Sequence, residues 1–152
     1  MGPFLGRFDY SIDAKGRVNI PAKFRKGLNP DSEDTFILCR APNGCLRAYP
    51  KDLWKKREDE LSALAETPDG LKLKRQIYST LSESTLDAQG RVTLTPVQMS
   101  LAGIQKDVTL IGESYFVEIW DTGKLTAYLG ESESDGFDDA HFKIVDAGMV
   151  KQ

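Results

Sequence analysis

A nine-residue segment occurs twice in this chain of 152 residues. Ile12-Asp13-Ala14-Lys15-Gly16-Arg17-Val18-Asn19-Ile20 returns 74 positions later as Leu86-Asp87-Ala88-Gln89-Gly90-Arg91-Val92-Thr93-Leu94. Asp, Ala, Gly, Arg and Val recur in place, and the flanking aliphatics are exchanged conservatively. A repeat at fixed spacing constrains the fold strongly, because both copies must build the same supersecondary unit. The likeness continues downstream. Each copy has a proline (Pro21, Pro96), a short amphipathic stretch, and a glycine followed by an aliphatic (Gly27-Leu28, Gly103-Ile104). An apolar strand follows, Thr35-Phe36-Ile37-Leu38 or Val108-Thr109-Leu110-Ile111, and then a strand ending in an aromatic, Cys45 to Tyr49 or Phe116 to Trp120. The chain is a tandem duplication of a β-β-short helix-β-β unit, mainly β with short helices (α+β).

The local physics of the unit is legible. Phe8, Tyr10 and Ile12 alternate with Arg7, Asp9 and Ser11, the period of a strand with one apolar face. Asp13-Ala14-Lys15-Gly16 then turns the chain, Asp accepting from turn amides and Gly supplying a positive φ. Val18 and Ile20 resume the alternation. Pro21 suits the first position of a helix and Gly27 its C-terminal cap; in the second copy Thr95 is the N-cap, Pro96 the first residue and Gly103 the terminator. Asp13, Gly16, Asp87 and Gly90 are thus expected to brace the two turns.

The first repeat spans 4–51, connecting helices 52–81 and the second repeat 82–128. From Asp52 to Glu66 the pattern predicts a helix with Leu53, Trp54, Leu61 and Leu64 near one stripe. Thr67-Pro68 caps a second, with Leu73, Ile77 and Leu81 at i, i+4, i+8. A unit of about 74 residues buries too little to stand alone, so the two copies should interleave into one core, an intramolecular pseudo-dimer. The acidic tail, 129–152, is rich in Ser, Glu, Asp and Gly and is expected to be mobile.

The formal net charge of −3 hides an asymmetry. Residues 1–28 hold Arg7, Lys15, Arg17, Lys23, Arg25 and Lys26 against Asp9 and Asp13, a net +4 that leaves −7 for the rest. A basic lobe on an acidic body is expected of a local anion-binding surface. No apolar run approaches the roughly 20 residues of a membrane span, and the N-terminus lacks the pattern of a secretory signal. Cys39 and Cys45 have no CxxC partner and read as reduced core thiols, with no metal site. One histidine, His141, leaves little for Cys-His or Ser-His-Asp chemistry, and no enzyme activity or cofactor is expected.

These residues resemble a known family. Asp13-x-x-x-Arg17 and Asp87-x-x-x-Arg91, each in an Asp-x-x-Gly-Arg-Val context, resemble the paired signature of MraZ proteins. The run from Lys15 to Arg25 is similar to the SpoVT-AbrB hairpin. The match extends through Tyr49-Pro50-x-x-x-Trp54, Gly103-Ile104-x-Lys106-Asp107-Val108 and Phe116-x-x-x-Trp120-Asp121. The resemblance implies an AbrB-like swapped-hairpin or double-psi β-barrel formed by two tandem pseudo-symmetric repeats. It implies a cytoplasmic, nucleoid-associated repressor that assembles as a ring-shaped homo-oligomer. Its partner would be double-stranded DNA, at direct repeats in its own promoter upstream of the division and cell-wall gene cluster, with no membrane and no small-molecule substrate.

The Asp-x-x-x-Arg loop is the DNA-contacting element that the resemblance carries to Arg17 and to Arg91. A two-stranded ribbon fits the major groove, where arginine can pair with a guanine edge. Lys15, Lys23 and Arg25 are expected to meet phosphate, which positions without reading sequence, and Arg7 is counted with the DNA-binding residues. The second copy departs from the pattern, with Gln89, Val97 and Met99 where the first has Lys15, Lys23 and Arg25. By that count the first copy contacts DNA and the second mainly builds the barrel or a subunit interface. Arg17 and Arg91 also have a purely structural reading, as turn-stabilising partners of Asp13 and Asp87. Two other classes compete. An enzyme on a related barrel would need a nucleophile or acid–base pair in a pocket. A DNA-independent oligomeric scaffold would bind an acidic protein or RNA on the basic face. An antitoxin-type AbrB regulator is a closer relative, but carries one repeat per chain.

Overall fold

The computed structural model describes residues 2–64, 66–130 and 135–148. Residues up to 122 form one compact unit, and those from 123 a second. In the first unit the elements run β1 (Phe4–Ser11), β2 (Arg17–Asn19), α1 (Ala22–Lys26), a 3-10 turn (Pro30–Ser32), β3 (Thr35–Ala41), β4 (Cys45–Pro50), α2 (Lys51–Ser62), α3 (Pro68–Tyr78), β5 (Ser82–Thr85), β6 (Arg91–Thr93), α4 (Pro96–Ala102), β7 (Asp107–Ser114) and β8 (Val117–Asp121). The fold is α+β, mostly antiparallel strands with short helices.

Six strands make one sheet in the order β1-β7-β8-β4-β3-β5, and β2 pairs with β6 in a separate ribbon. Exchanging each strand with its repeat equivalent reverses the sheet order onto itself. The sheet is therefore a palindrome with a pseudo-twofold between β4 and β8. The register obeys it: Arg47 faces Glu118, flanked by Leu46↔Ile119 and Ala48↔Val117. On the ribbon the same axis passes between Val18 and Val92, which face each other.

Neither return strand pairs with the strand that precedes it. β1 is zipped to β7 and β5 to β3, while β2 crosses to β6. Two backbone bonds close each turn on itself, Asp13 N–H to the Arg17 carbonyl and Gly16 N–H to the Asp13 carbonyl in the first, and their equivalents among Asp87, Gly90 and Arg91 in the second. The cross-repeat ladder is longer, because Ile20 N–H donates to the Gly90 carbonyl and Leu94 N–H to the Gly16 carbonyl. Val18, Ile20, Val92 and Leu94 turn inward and join Phe4, Phe36, Leu46, Leu110 and Ile119 in one buried core. Each fully buried side chain of this size contributes about 1.5–3 kcal/mol, so the exchanged strands are held by the main apolar contact of the unit.

The opposite face of β3 and β4 is covered by α2 and α3, with Ile37, Cys39, Tyr49, Trp54, Leu61 and Ile77 buried between them. Leu53 and Leu73, expected on the apolar stripes, are exposed. Leu53 lies one residue, about 100° of helix, from Trp54, and the indole occupies the face against the sheet. Thr67 caps α3 by accepting from the Gly70 amide at 3.1 Å. Thr95 and Gln98 form a reciprocal capping box on α4, which Gly103 ends at φ +64°. The first copy differs. Pro21 precedes the helix as its cap residue, and Gly27 has a right-handed backbone. Gly27 is required by space: a Cβ there would lie 2.5 Å from Pro3 Cβ.

The second unit holds most of α5 (Thr122–Leu129), then α6 (Phe137–His141) continuing into a π-helical turn, Phe142–Asp146. His141 Nδ1 lies 3.3 Å from Asp146 Oδ2. The tail expected to be mobile coincides in part with residues 131–134 and 149–152, which lie outside the described residues.

Candidate functional site

The β2–β6 pairing brings the two Asp-x-x-x-Arg turns to the two ends of one short ribbon, although 74 residues separate them in sequence. In the first, Asp13 Oδ1 accepts from the amides of Lys15 (3.0 Å) and Arg17 (2.8 Å), and Oδ2 accepts from Arg17 Nε. In the second, Asp87 Oδ1 accepts from the amides of Gln89 and Arg91 (both 2.9 Å), and Oδ2 from Arg91 Nε at 2.8 Å. Gly16 and Gly90 supply positive φ, +79° and +75°. Each carboxylate thus satisfies turn amides and holds one edge of an arginine, leaving the rest of the guanidinium for an incoming acceptor.

The arginine amide, above all, holds each Asp below its usual 3.8, with the guanidinium and the tip amide acting the same way. The turns are not independent. Arg91 Nη1 lies 3.7 Å from Asp13 Oδ2, so Asp13 serves the arginines of both repeats.

The short helices brace the turns crosswise. Arg25, on α1 of the first repeat, lies over Gly90 of the second, where a Cβ would meet Arg25 Nε and Cζ at 2.6 Å. Arg25 Nε donates to the Ile20 carbonyl at 3.0 Å. Met99, its repeat equivalent on α4, lies over Gly16, with Sδ at 3.2 Å from a Cβ built there. Counting cations by repeat therefore misassigns Arg25: it lies beside the turn that carries Gln89, and Met99 beside the turn that carries Lys15. Sequence reasoning missed Met99 as a brace. Its alignment with Arg25 was the available signal, but only the strand exchange reveals what it touches.

Of the remaining basic residues, Lys15 is exposed at the tip of the first turn and Lys23 on α1. Arg7 is not brought to the turns. It is mid-strand on β1, its Nε 3.4 Å from Asp9 Oδ1, and six strand residues, about 20 Å, from Asp13. Asp9 also accepts from Thr109 Oγ1 at 2.6 Å.

The ribbon completes the site. Val18 and Val92 point into the core, so period-2 alternation sends Arg17, Asn19, Arg91 and Thr93 to the outer face. Asn19 and Thr93 are exposed. Away from this surface, Cys39 and Cys45 are buried free thiols, and burial followed by the charge of Glu118 pushes Cys45 up to about 12. Among the described residues no three His, Cys, Asp or Glu side chains converge, and no helix is long and apolar enough to cross a membrane.

The family profile described as "MraZ protein, putative antitoxin-like" matches the chain twice, over residues 4–75 and 77–146. A transcriptional regulator MraZ of Natranaerobius thermophilus is 41% identical over 144 residues, 94% of this chain and 97% of that protein. A transcriptional regulator MraZ of Acetivibrio thermocellus is 38% identical over 129 residues, 84% of this chain and 87% of that protein. Both relatives are named as regulators and neither as an enzyme. The two profile matches fall on the two repeats whose strands the fold exchanges, and the chain belongs to the MraZ family of transcriptional regulators.

Proposed function

We propose that this chain is a sequence-specific DNA-binding repressor. It acts on the division and cell-wall gene cluster by binding direct repeats in its own promoter as a ring-shaped homo-oligomer, in the cytoplasm on the nucleoid. The observation that carries the reading is the juxtaposition of the two Asp-x-x-x-Arg turns on one exposed ribbon. That surface offers two pre-oriented guanidiniums, with Lys15 and Arg25 beside them. Nε is already held by a carboxylate, so the arginines lose less conformational entropy on meeting a planar acceptor than free surface arginines do. Lys15, Lys23 and Arg25 serve phosphates, and Arg17 and Arg91 serve guanine edges. One subunit offers a small footprint, so affinity depends on several subunits engaging spaced repeats together.

The test is fluorescence anisotropy of the full chain on DNA upstream of its own gene against scrambled DNA, over a salt series. Tight binding that favours the native sequence and is lost in Arg17→Ala, with oligomer size and melting temperature unchanged, is the expected result. Equal, weak binding to both DNAs would sink the repressor reading in favour of an interaction scaffold for an acidic protein or RNA.

A further inference from the structure

The ribbon's outer face carries more than its arginines, and its pseudo-twofold is broken at one position. Arg17 stands opposite Thr93 and Arg91 opposite Asn19, so two nearly equivalent cross-strand pairs alternate across the face. The arginines are repeat equivalents of each other. Asn19 and Thr93 are equivalents too, but their chemistry differs. Asn19 is exposed, and among the described residues its carboxamide makes no hydrogen bond. It contributes nothing to the core, where Val18 and Ile20 do the packing on either side. A carboxamide presents one donor and one acceptor in a plane, the pattern that matches adenine N7 and N6 in the major groove. A threonine offers a hydroxyl and a methyl, which suit several bases and the thymine methyl.

We infer that Asn19 is a specificity-determining residue that reads an adenine in the major groove beside the position served by Arg91. With Thr93 in the equivalent place, the two halves of the DNA element under one ribbon are chemically inequivalent. The inference rests on the repressor reading and adds a prediction about the operator. The element is an imperfect palindrome, related by the ribbon's axis at the arginine positions and broken where Asn19 and Thr93 lie. Thus a pseudo-symmetric protein binds DNA in one orientation, which a head-to-tail series of direct repeats requires.

The experiment measures the affinity of the full chain for a panel of promoter fragments in which each base pair of one repeat is replaced in turn. The wild type, Asn19→Ala and Thr93→Asn are compared at several salt concentrations. Both positions are exposed and outside the core, and circular dichroism checks that the variants fold. In Asn19→Ala, discrimination at one A·T pair is expected to fall by roughly five- to a hundredfold, the range for one bidentate contact. The other positions and the salt dependence should be unchanged, whereas loss of a phosphate contact would lower the salt slope by about 0.9. In Thr93→Asn, a new preference for adenine should appear at the position related by the ribbon's axis. Uniform weakening across the panel by Asn19→Ala, or no new preference in Thr93→Asn, overturns the inference while leaving the repressor reading intact. A wild type indifferent to every replacement overturns both.

Discussion

Asp13 of the first repeat lies 3.7 Å from Arg91 Nη1 of the second, while also holding Arg17 Nε and two turn amides. Among the described residues, Asp87 takes the two equivalent amides and one arginine, its own. The pseudo-twofold is thus broken in the charge network, and Asp13 carries the larger share. Asp13→Asn is expected to lower the melting temperature and promoter affinity more than Asp87→Asn, because it loosens the reading arginines of both turns. Equal effects in calorimetry and anisotropy would show that the 3.7 Å approach has no energetic weight.

The same carboxylates set the response to acid. Asp9, Asp13 and Asp87 are all held below 3.8, Asp9 chiefly by the Thr109 hydroxyl and the other two by arginine amides. A carboxyl depressed in the folded state contributes stability fully present above the unfolded value and lost as pH falls through the folded one. Stability should therefore drop as pH goes below about 4. Glu113 has the opposite sign. Burial and then the charge of Glu118 push it up from 4.5, so its ionisation opposes folding once pH rises past its unfolded value. Glu113→Gln is expected to raise the melting temperature at pH 7 and leave it unchanged near pH 4. A variant that is stabilised equally at both pH values would refute this account.

Gln98 is the polar centre of the α4 junction. The two hydrogens of its Nε2 are shared among the carbonyls of Thr80 (2.9 Å) and Leu38 (3.3 Å) and Ser82 Oγ (2.9 Å), while Oε1 accepts from the Thr95 amide at 3.0 Å. The side chain is fully buried, and it joins both repeats and the end of the connector. Gln98→Leu leaves these partners without a donor or acceptor, at about 1–3 kcal/mol for each group that stays dry. A loss of roughly 2–5 kcal/mol in denaturant unfolding is expected, larger than that of any exposed change on the ribbon. A loss below about 1 kcal/mol would mean that water replaces the amide.

The repeat, the turn chemistry and the alternation of Phe8, Tyr10 and Ile12 were legible from the chain, because each is a local signal of period, cap or positive φ. So was Thr95-Pro96 as a helix start, since a cap bonds three residues away. What no local signal carries is partner choice. Val18 and Val92 would satisfy the same inward pattern whether β2 paired with β1 or with β6, and the charge count by repeat depended on that choice. Arg25 looked like part of the first copy's surface until the exchange of strands placed it over Gly90. Leu53 and Leu73 show the same gap in the helices, where the sheet decides which of several apolar residues is covered.

Gly16 and Gly90 look interchangeable in sequence, yet substituting them should not be equally costly. Both have φ in the left-handed region, so alanine at either costs about 1–2 kcal/mol in backbone strain. Beyond that, the neighbours differ in kind. At Gly90 the new Cβ meets the Arg25 side chain at 2.6 Å, a flexible group that can swing into solvent. At Gly16 it meets the Leu94 carbonyl oxygen at 2.7 Å, with Met99 Sδ behind it at 3.2 Å. That carbonyl belongs to the backbone that leads out of β6, and Leu94 N–H is already bonded to Gly16 O, so it cannot retreat without opening the ribbon. Gly16→Ala should therefore destabilise the protein clearly more than Gly90→Ala in urea unfolding. Truncating the neighbouring side chain separates the two causes. In an Arg25→Ala background, Gly90→Ala should cost only its backbone strain, while Met99→Ala should leave the cost of Gly16→Ala almost unchanged. Rescue of Gly16→Ala by Met99→Ala would mean that the helix brace, and not the cross-repeat backbone contact, limits how closely the two turns can be packed.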